Sequence, residues 1–313
     1  MDKGTFLVAL CAKGFEPRLR ISNIESSKGL VGLKIIDGMR WGENELLKKG
    51  IENARFDADL LLAEVLEVTR DRLYLDWDRI LSEQENEHFR VLIQRRATNV
   101  PLQYILNRQE FMGLSFYVDE RVLIPRADSE ILIEKWLDIV RQEKKQGQDQ
   151  LIRVADLCTG SGALAIAVAH YFPAAEVVGI DLSSDALEVA RQNAERLGVV
   201  VQWRQGDFVD SIRGECWDYI ITNPPYVSTE SYRQCAPEIF HEPLMAFLGG
   251  TDGLDFYRRL AEETRSLLNP QGKVLMEIGW DQAQAVCSLF HLKGFETQVF
   301  QDLAGRDRVI LAR

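Results

Sequence analysis

From residue 152 onward, short apolar runs alternate with amphipathic stretches, and this alternation constrains the fold more than any other feature. Strand candidates are 152–157, 176–182, 199–203, 219–222 and 273–278. Helical patterns fall between them, as in 183–197, where Gly198 offers a C-cap. Such alternation predicts an α/β domain with a parallel sheet covered on both faces. The last two runs, 295–300 and 308–312, flank a turn containing Gly305. They read as a hairpin, so at least one is expected to run antiparallel.

The first half reads differently. Residues 1–40 show no periodicity, and clear helical signal begins only after Met39. This stretch is expected to be a weakly ordered extension, or a start assigned too early. Phe6 to Leu10 is apolar but too short for a secretory leader. Residues 41–108 are expected to form a helical domain: Leu46, Leu47 and Ile51, then Leu61, Leu62, Val65 and Leu66, recur at helical spacing. Ser82 and Glu85 form a capping box ahead of Phe89, Leu92 and Ile93. Residues 109–124 read as a hairpin linker around Gly113, with a charged turn at Asp119-Glu120. Residues 125–313 remain for the α/β domain, opened by an amphipathic helix from Ser129 to about residue 140.

Composition narrows the function. An apolar fraction of 46% supports a real core, and a net charge of −11 disfavours affinity gained by blanketing nucleic-acid phosphates. The 5 cysteines are scattered without a C-x-x-C pair, as expected for a reducing cytosol. The 4 histidines lack metal-ligand spacing, and no run approaches a membrane span. A cytoplasmic protein without a metal site or membrane partner is the expectation.

Two motifs carry chemistry. Asp156-Leu157-Cys158-Thr159-Gly160-Ser161-Gly162 ends the first α/β strand and opens a helix, and Asp181 lies 19 residues after Gly162. This pattern suits a dinucleotide or S-adenosylmethionine. Asp156 shifts the balance, because a carboxylate beside the loop opposes a pyrophosphate yet suits a sulfonium and an ammonium. Asp156 would pair with that ammonium directly or through water, Asp181 would take two ribose hydroxyls, and Asp207 and Phe208 would flank the adenine. The plainer alternatives are packing glycines, a helix-capping Asp181 and a core Phe208.

The second motif, Asn223-Pro224-Pro225-Tyr226, follows a buried strand. Two prolines cannot continue a strand, but they build a rigid turn at the sheet edge where ligands bind. An Asn oxygen and a proline-fixed carbonyl can accept the hydrogens of a planar NH2 group, and a tyrosine ring can stack on it. The turn alone does not separate a glutamine amide from an adenine.

With these motifs the chain resembles a class I S-adenosylmethionine-dependent methyltransferase, and more narrowly the HemK/PrmC family of release factor glutamine N5-methyltransferases. The resemblance extends to Pro101-Leu102-Gln103-Tyr104-Ile105 with Glu110-Phe111, and to Leu123-Ile124-Pro125-Arg126 with Asp128 and Glu130. It also covers Glu242-Pro243, Gly249-Gly250, Asp252-Gly253-Leu254, Met276-Glu277-Ile278-Gly279 and Gly305-Arg306-Asp307-Arg308. The chain departs at Asn107 and Cys158, where the family usually has glycine, at Ala127 for proline, and at Ser129 for threonine. Asn107 can still adopt a left-handed turn, whereas Cys158 would be strained there.

The resemblance implies a helical N-terminal domain, a hairpin linker and a Rossmann-like catalytic domain. It implies S-adenosylmethionine held by Asp156, Cys158, Thr159, Gly160, Ser161, Gly162, Asp181, Asp207, Phe208 and Asn223. It places the substrate amide on Asn223, Pro224, Pro225 and Tyr226, and the substrate as the glutamine of the Gly-Gly-Gln loop of peptide chain release factors. The nearest alternatives are an N6-adenine methyltransferase on DNA or RNA and a ribosomal-protein glutamine methyltransferase. A nicotinamide oxidoreductase fits Asp156 poorly, and a non-catalytic cofactor-binding adaptor would not need the Asn-Pro-Pro-Tyr acceptors. Sequence-specific nucleic-acid binding is not expected.

Overall fold

The computed structural model describes residues 32–145 and 151–313. Expectations for the first 31 residues lie outside this range. Five helices come first: α1 (Ile35–Leu47), α2 (Ala54–Val65), α3 (Arg70–Leu75), α4 (Glu83–Arg96) and α5 (Leu102–Leu106).

Helix α1 begins at Ile35, earlier than the sequence pattern suggests, and Leu33, Ile35 and Met39 are buried. The early turns escaped the apolar pattern because two of the buried positions are glycines, Gly38 and Gly42. A Cβ on Gly42 would stand 2.8 Å from the Phe89 ring and 3.1 Å from the Ala58 Cβ. Helices α1, α2 and α4 therefore meet almost backbone to side chain there. The capping box on α4 is complete, with the Glu85 amide donating to Ser82 Oγ at 3.2 Å and the Ser82 amide to Glu85 Oε2 at 2.7 Å.

The linker hairpin is shorter than expected: β1 (Gln109–Phe111) pairs antiparallel with β2 (Leu114–Phe116) through a turn at Met112 and Gly113. Both turn residues have positive φ, 52° and 70°, the backbone of the tightest hairpins. Asn107 is left-handed at φ 48° and donates Nδ2 to the Val118 carbonyl at 3.1 Å. Pairing stops at Phe116, and Asp119 turns its carboxylate onto the Arg121 amide and guanidinium.

Helix α6 (Glu130–Lys145) then leads to β3 (Ile152–Leu157), α7 (Ala163–Tyr171), β4 (Ala175–Asp181), α8 (Ser184–Leu197), β5 (Gln202–Gln205) and β6 (Trp217–Thr222). After a short α9 (Thr229–Tyr232) come α10 (Asp255–Leu267), β7 (Leu268–Glu277), α11 (Ala283–Leu292), β8 (Thr297–Gln301) and β9 (Asp307–Ala312). The seven strands lie in the order β5-β4-β3-β6-β7-β9-β8. The first five are parallel, and β9 is antiparallel to both its neighbours. The third parallel strand starts at Gln202 rather than at Val199, because Gly198 ends α8 left-handed and Val200 lies 88% exposed in the loop beyond it.

Alternate strand residues serve opposite faces. Val154, Val177, Ile221 and Leu275 pack with α6, α7 and the hairpin residues Phe111 and Phe116. Ala155, Val178, Ile220 and Val274 pack with α10 and α11. From β3 the sheet grows one way to β4 and the other way to β6. Ligands of open α/β sheets bind where the strand order reverses in this manner. The helical region is tied to this domain by Arg96, whose buried guanidinium meets Asp57 at 2.7 Å and also Glu238.

Candidate active site

The glycine loop is built mainly from backbone. Cys158, Gly160 and Gly162 have φ of 61°, 55° and 82°, and Gly162 leads directly into α7. A Cβ on Gly162 would stand 2.9 Å from the Trp203 ring, so both its φ and its packing require glycine. Cys158 carries a side chain in the same left-handed region, where the sequence comparison foresaw strain. The Thr159 amide donates to the Ile180 carbonyl at 2.9 Å, stitching the loop to β4.

Asp156 does not stand where the sequence reading put it. Its side chain is fully buried beneath the loop, and its Oδ2 accepts from Thr159 Oγ1 at 2.5 Å and from the Ala165 amide at 3.1 Å. It lines neither cavity described below, which leaves no direct contact between its carboxylate and a ligand ammonium there. Burial pushes its pKa up to about 7, against the pull of the Thr159 and Ala165 hydrogen bonds.

Asp181 ends β4 at the mouth of a cleft of about 110 Å³. Its Oδ2 accepts from the Gly160 amide at 2.8 Å and its Oδ1 from the Ser183 amide at 2.9 Å. Burial raises its pKa, while these amides hold the charged form. Each oxygen keeps a lone pair. Asp207 lines the same cleft with its carboxylate half exposed and paired with Arg259 at 3.0 Å. Phe208 is both wall and core: it lines the cleft, is 3% exposed, and packs edge-on against Phe256 at a 5.1 Å centroid distance. Arg121 also borders the cleft, but its guanidinium is committed to Asp119 at 2.6 Å.

Asn223 follows β6 and lines this cleft and a smaller adjoining one bounded by Pro125, Arg126, Ser129, Thr159 and Ser161. Its Nδ2 donates to Ser129 Oγ at 3.2 Å. Pro224 and Pro225 are buried, and Pro225 also lines the larger cleft. Tyr226 is placed differently from the stacking plate expected. Its ring packs against the core on the α10 and α11 side, and its hydroxyl donates to Glu277 Oε1 at 3.2 Å. Burial and the Glu277 charge raise the Tyr226 pKa, keeping it a donor.

Several residues around the turn received no role from sequence. Gln282 donates Nε2 to the Tyr226 carbonyl at 3.0 Å. Gly249 brings the next loop against the turn, since a Cβ there would stand 2.6 Å from the Pro225 carbonyl. Glu242 accepts from the Ile124 amide at 2.9 Å and pairs with Arg126. The two C-terminal motifs meet, with the Ile278 amide donating to the Arg308 carbonyl at 2.9 Å. Their motifs were visible, but partners 94 and 116 residues apart gave no spacing to read.

Among the described residues no helix is long and apolar enough to cross a bilayer. The chain matches the family of PrmC N-terminal domains over residues 38–106 and that of methyltransferase small domains over residues 140–246. It is similar to the release factor glutamine methyltransferase of Geobacter sulfurreducens, 39% identical over 282 residues, covering 90% of this chain and 95% of that one. The release factor glutamine methyltransferase of Moorella thermoacetica is 41% identical over 267 residues, covering 84% and 92%. Among solved structures, the catalytic domain of hMettl16 in complex with a MAT2A 3'UTR hairpin superposes with a TM-score of 0.52 at 13% identity, over 75% of this chain and 83% of that one. That likeness concerns the Rossmann-like fold alone.

Proposed function

The chain belongs to the release factor glutamine methyltransferase family, and from that footing we propose that it moves a methyl group from S-adenosylmethionine to the side-chain amide nitrogen of the Gly-Gly-Gln glutamine in peptide chain release factors. The observation that carries the reading is Asn223. It stands in the wall shared by a cleft along the glycine loop and a second opening beside Pro125 and Arg126.

The cleft suits a cationic donor. Asp181 and Asp207 border it, while the bordering Arg121 is tied to Asp119 and Arg259 to Asp207 and Asp210. A pyrophosphate would want uncommitted cations there. Residues 158–162 would cradle the donor, Asp181 would accept from its ribose hydroxyls, and Asp207 and Phe208 would border its adenine. When bound, S-adenosylmethionine supplies a methyl group on a positively charged sulfur.

The protein's part is orientation and charge. A carboxamide nitrogen is a poor nucleophile, because its lone pair is delocalised into the carbonyl. Asn223 Oδ1 and the Pro224 carbonyl would accept its two hydrogens and fix its direction. The same acceptors stabilise positive charge developing on nitrogen, a preorganised electrostatic effect. Holding the amide in place supplies much of the rest. A cytoplasmic location and release factors as partners belong to this reading.

The test is incubation with labelled S-adenosylmethionine and a release factor, the same factor with its Gly-Gly-Gln glutamine replaced, a ribosomal protein, and DNA or RNA. Label should enter the intact release factor alone. Label entering an adenine would overturn the glutamine assignment.

A further inference from the structure

Asn193, on α8, is fully buried and faces three backbone groups. Its Oδ1 accepts from the Tyr117 amide at 2.7 Å. Its Nδ2 donates to the Tyr117 carbonyl at 3.0 Å and to the Ser161 carbonyl at 3.0 Å. An asparagine amide can be turned about χ2, exchanging oxygen and nitrogen. Here the backbone partners fix the choice, because an N–H only donates and a carbonyl only accepts. A turned amide would set N–H against N–H and oxygen against two oxygens.

The Ser161 carbonyl needs this partner. In a continuous helix it would accept from the amide four residues on, which belongs to Ala165. That amide is given to Asp156 Oδ2 at 3.1 Å. A buried carbonyl without a donor is destabilising, and Asn193 supplies one.

The segments joined in this way form two walls of the site. Arg121, Val122 and Leu123, just beyond Tyr117, line the larger cleft together with Cys158 and Gly160 of the glycine loop. Leu123 and Ser161 both border the smaller opening. The loop takes its shape from its own backbone, while Asn193 fixes its distance from the linker. Resting on the function proposed above, we infer that Asn193 is a positioning residue for S-adenosylmethionine: one carboxamide clasps the linker to the glycine loop and sets the width of the cofactor cleft. Asn193 lines neither opening, so it acts through Tyr117 and Ser161 and does not touch the donor.

The test compares Asn193→Ala, which removes the clasp, with Val140→Ala, which truncates a fully buried residue of α6 outside the site. In the free protein, hydrogen–deuterium exchange over residues 117–123 and 158–162 should accelerate relative to the rest of the sheet in Asn193→Ala and not in Val140→Ala. By isothermal titration, the Kd for S-adenosylmethionine should rise roughly ten- to a hundredfold in Asn193→Ala, the range seen when the outer partner of a binding group is removed. In Val140→Ala it should stay within about twofold. In the transfer assay KM for the donor should follow Kd, while kcat at saturation stays within about threefold. Should Asn193→Ala fail to fold, Asn193→Ser is neutral, milder and too short to span both walls, and the same rise in Kd is expected. A Kd within about twofold of the wild type in a folded Asn193 variant, or an equal rise in Val140→Ala, would overturn the clasp. The exchange measurement needs no ligand, so the two failures are read apart. Unchanged exchange over both segments would refute the clasp, whereas absence of cofactor binding by the unaltered protein would refute the function proposed above.

Discussion

The glycine loop and the Asn-Pro-Pro-Tyr turn leave adjacent strands, β3 and β6, and face one cleft. They are held in different ways. The loop is shaped by its own backbone and by Asp156, which reaches Thr159 three residues on and Ala165 nine residues on, and it is fastened to β4 through Ile180 and Asp181. The turn is held from afar, by Ser129, Gly249, Glu277 and Gln282. The loop need only offer a close-fitting backbone to a bound ligand, which glycines at positive φ provide. The turn must present one oxygen in one direction, which takes side chains from several segments. The cradle's conformation is thus written in its own residues, whereas the turn's side chains take their places from partners on other segments.

Substitutions can break this contrast. The largest effect is expected from Asn223→Ala, with kcat falling roughly 10²–10³-fold and S-adenosylmethionine affinity nearly unchanged. Turnover assays with isothermal titration of the cofactor check it, and near-normal kcat would remove Asn223 from the chemistry.

On the loop side, Asp156→Asn keeps the bonds to Thr159 and Ala165 and removes a buried titration. Asp156 has its folded pKa raised to about 7 from 3.8, so its favourable contribution is complete below about pH 4 and is lost as pH rises through 7. Relative to the wild type, the Asn variant should gain stability between pH 5 and 8, by ~1–4 kcal/mol. Urea midpoints across that range decide the matter, and a difference that does not vary with pH would contradict the buried-acid account. Cofactor affinity in the same variant should change less than about threefold, as suits a support that does not touch the ligand.

Gly249→Ala should show the turn's dependence on a distant segment. The new Cβ would press on the Pro225 and Gly253 carbonyls at 2.6 and 2.9 Å, both of them backbone. We expect a loss of ~1–3 kcal/mol in stability with a fall in kcat that exceeds any change in cofactor Kd. The smallest effect belongs to Cys158→Gly, which relieves a left-handed residue and should raise stability by up to ~1 kcal/mol while leaving transfer intact. A thermal melt showing destabilisation would mean that packing of the Cys158 side chain outweighs its backbone strain.

Legibility followed the same division. The parallel strands were readable because a doubly covered sheet demands continuous apolar runs, and α8 was readable from its period and its Gly198 cap. The third strand was misplaced because 199–201 are β-branched without being paired. Helix α1 was entered late because glycines, which carry no apolar signal, do its packing. The loop residues were legible as a contiguous pattern, but sequence shows the Asp156 carboxylate without its burial beneath the loop. Tyr226 was given a stacking role, but its ring lines neither cleft and packs instead on the α10 and α11 side of the core.

By itself the sequence determined the α/β architecture, the glycine loop with Asp181, and the proline-locked turn, because each rests on residues a few positions apart and on local backbone preferences. Only the tertiary structure decided that Asp156 lies under the loop rather than in the cleft, that Ser129 meets Asn223, and that Glu277 meets Tyr226. Burial and the direction of a hydrogen bond depend on partners that chain folding brings together from about a hundred residues away, and no spacing along the sequence records them.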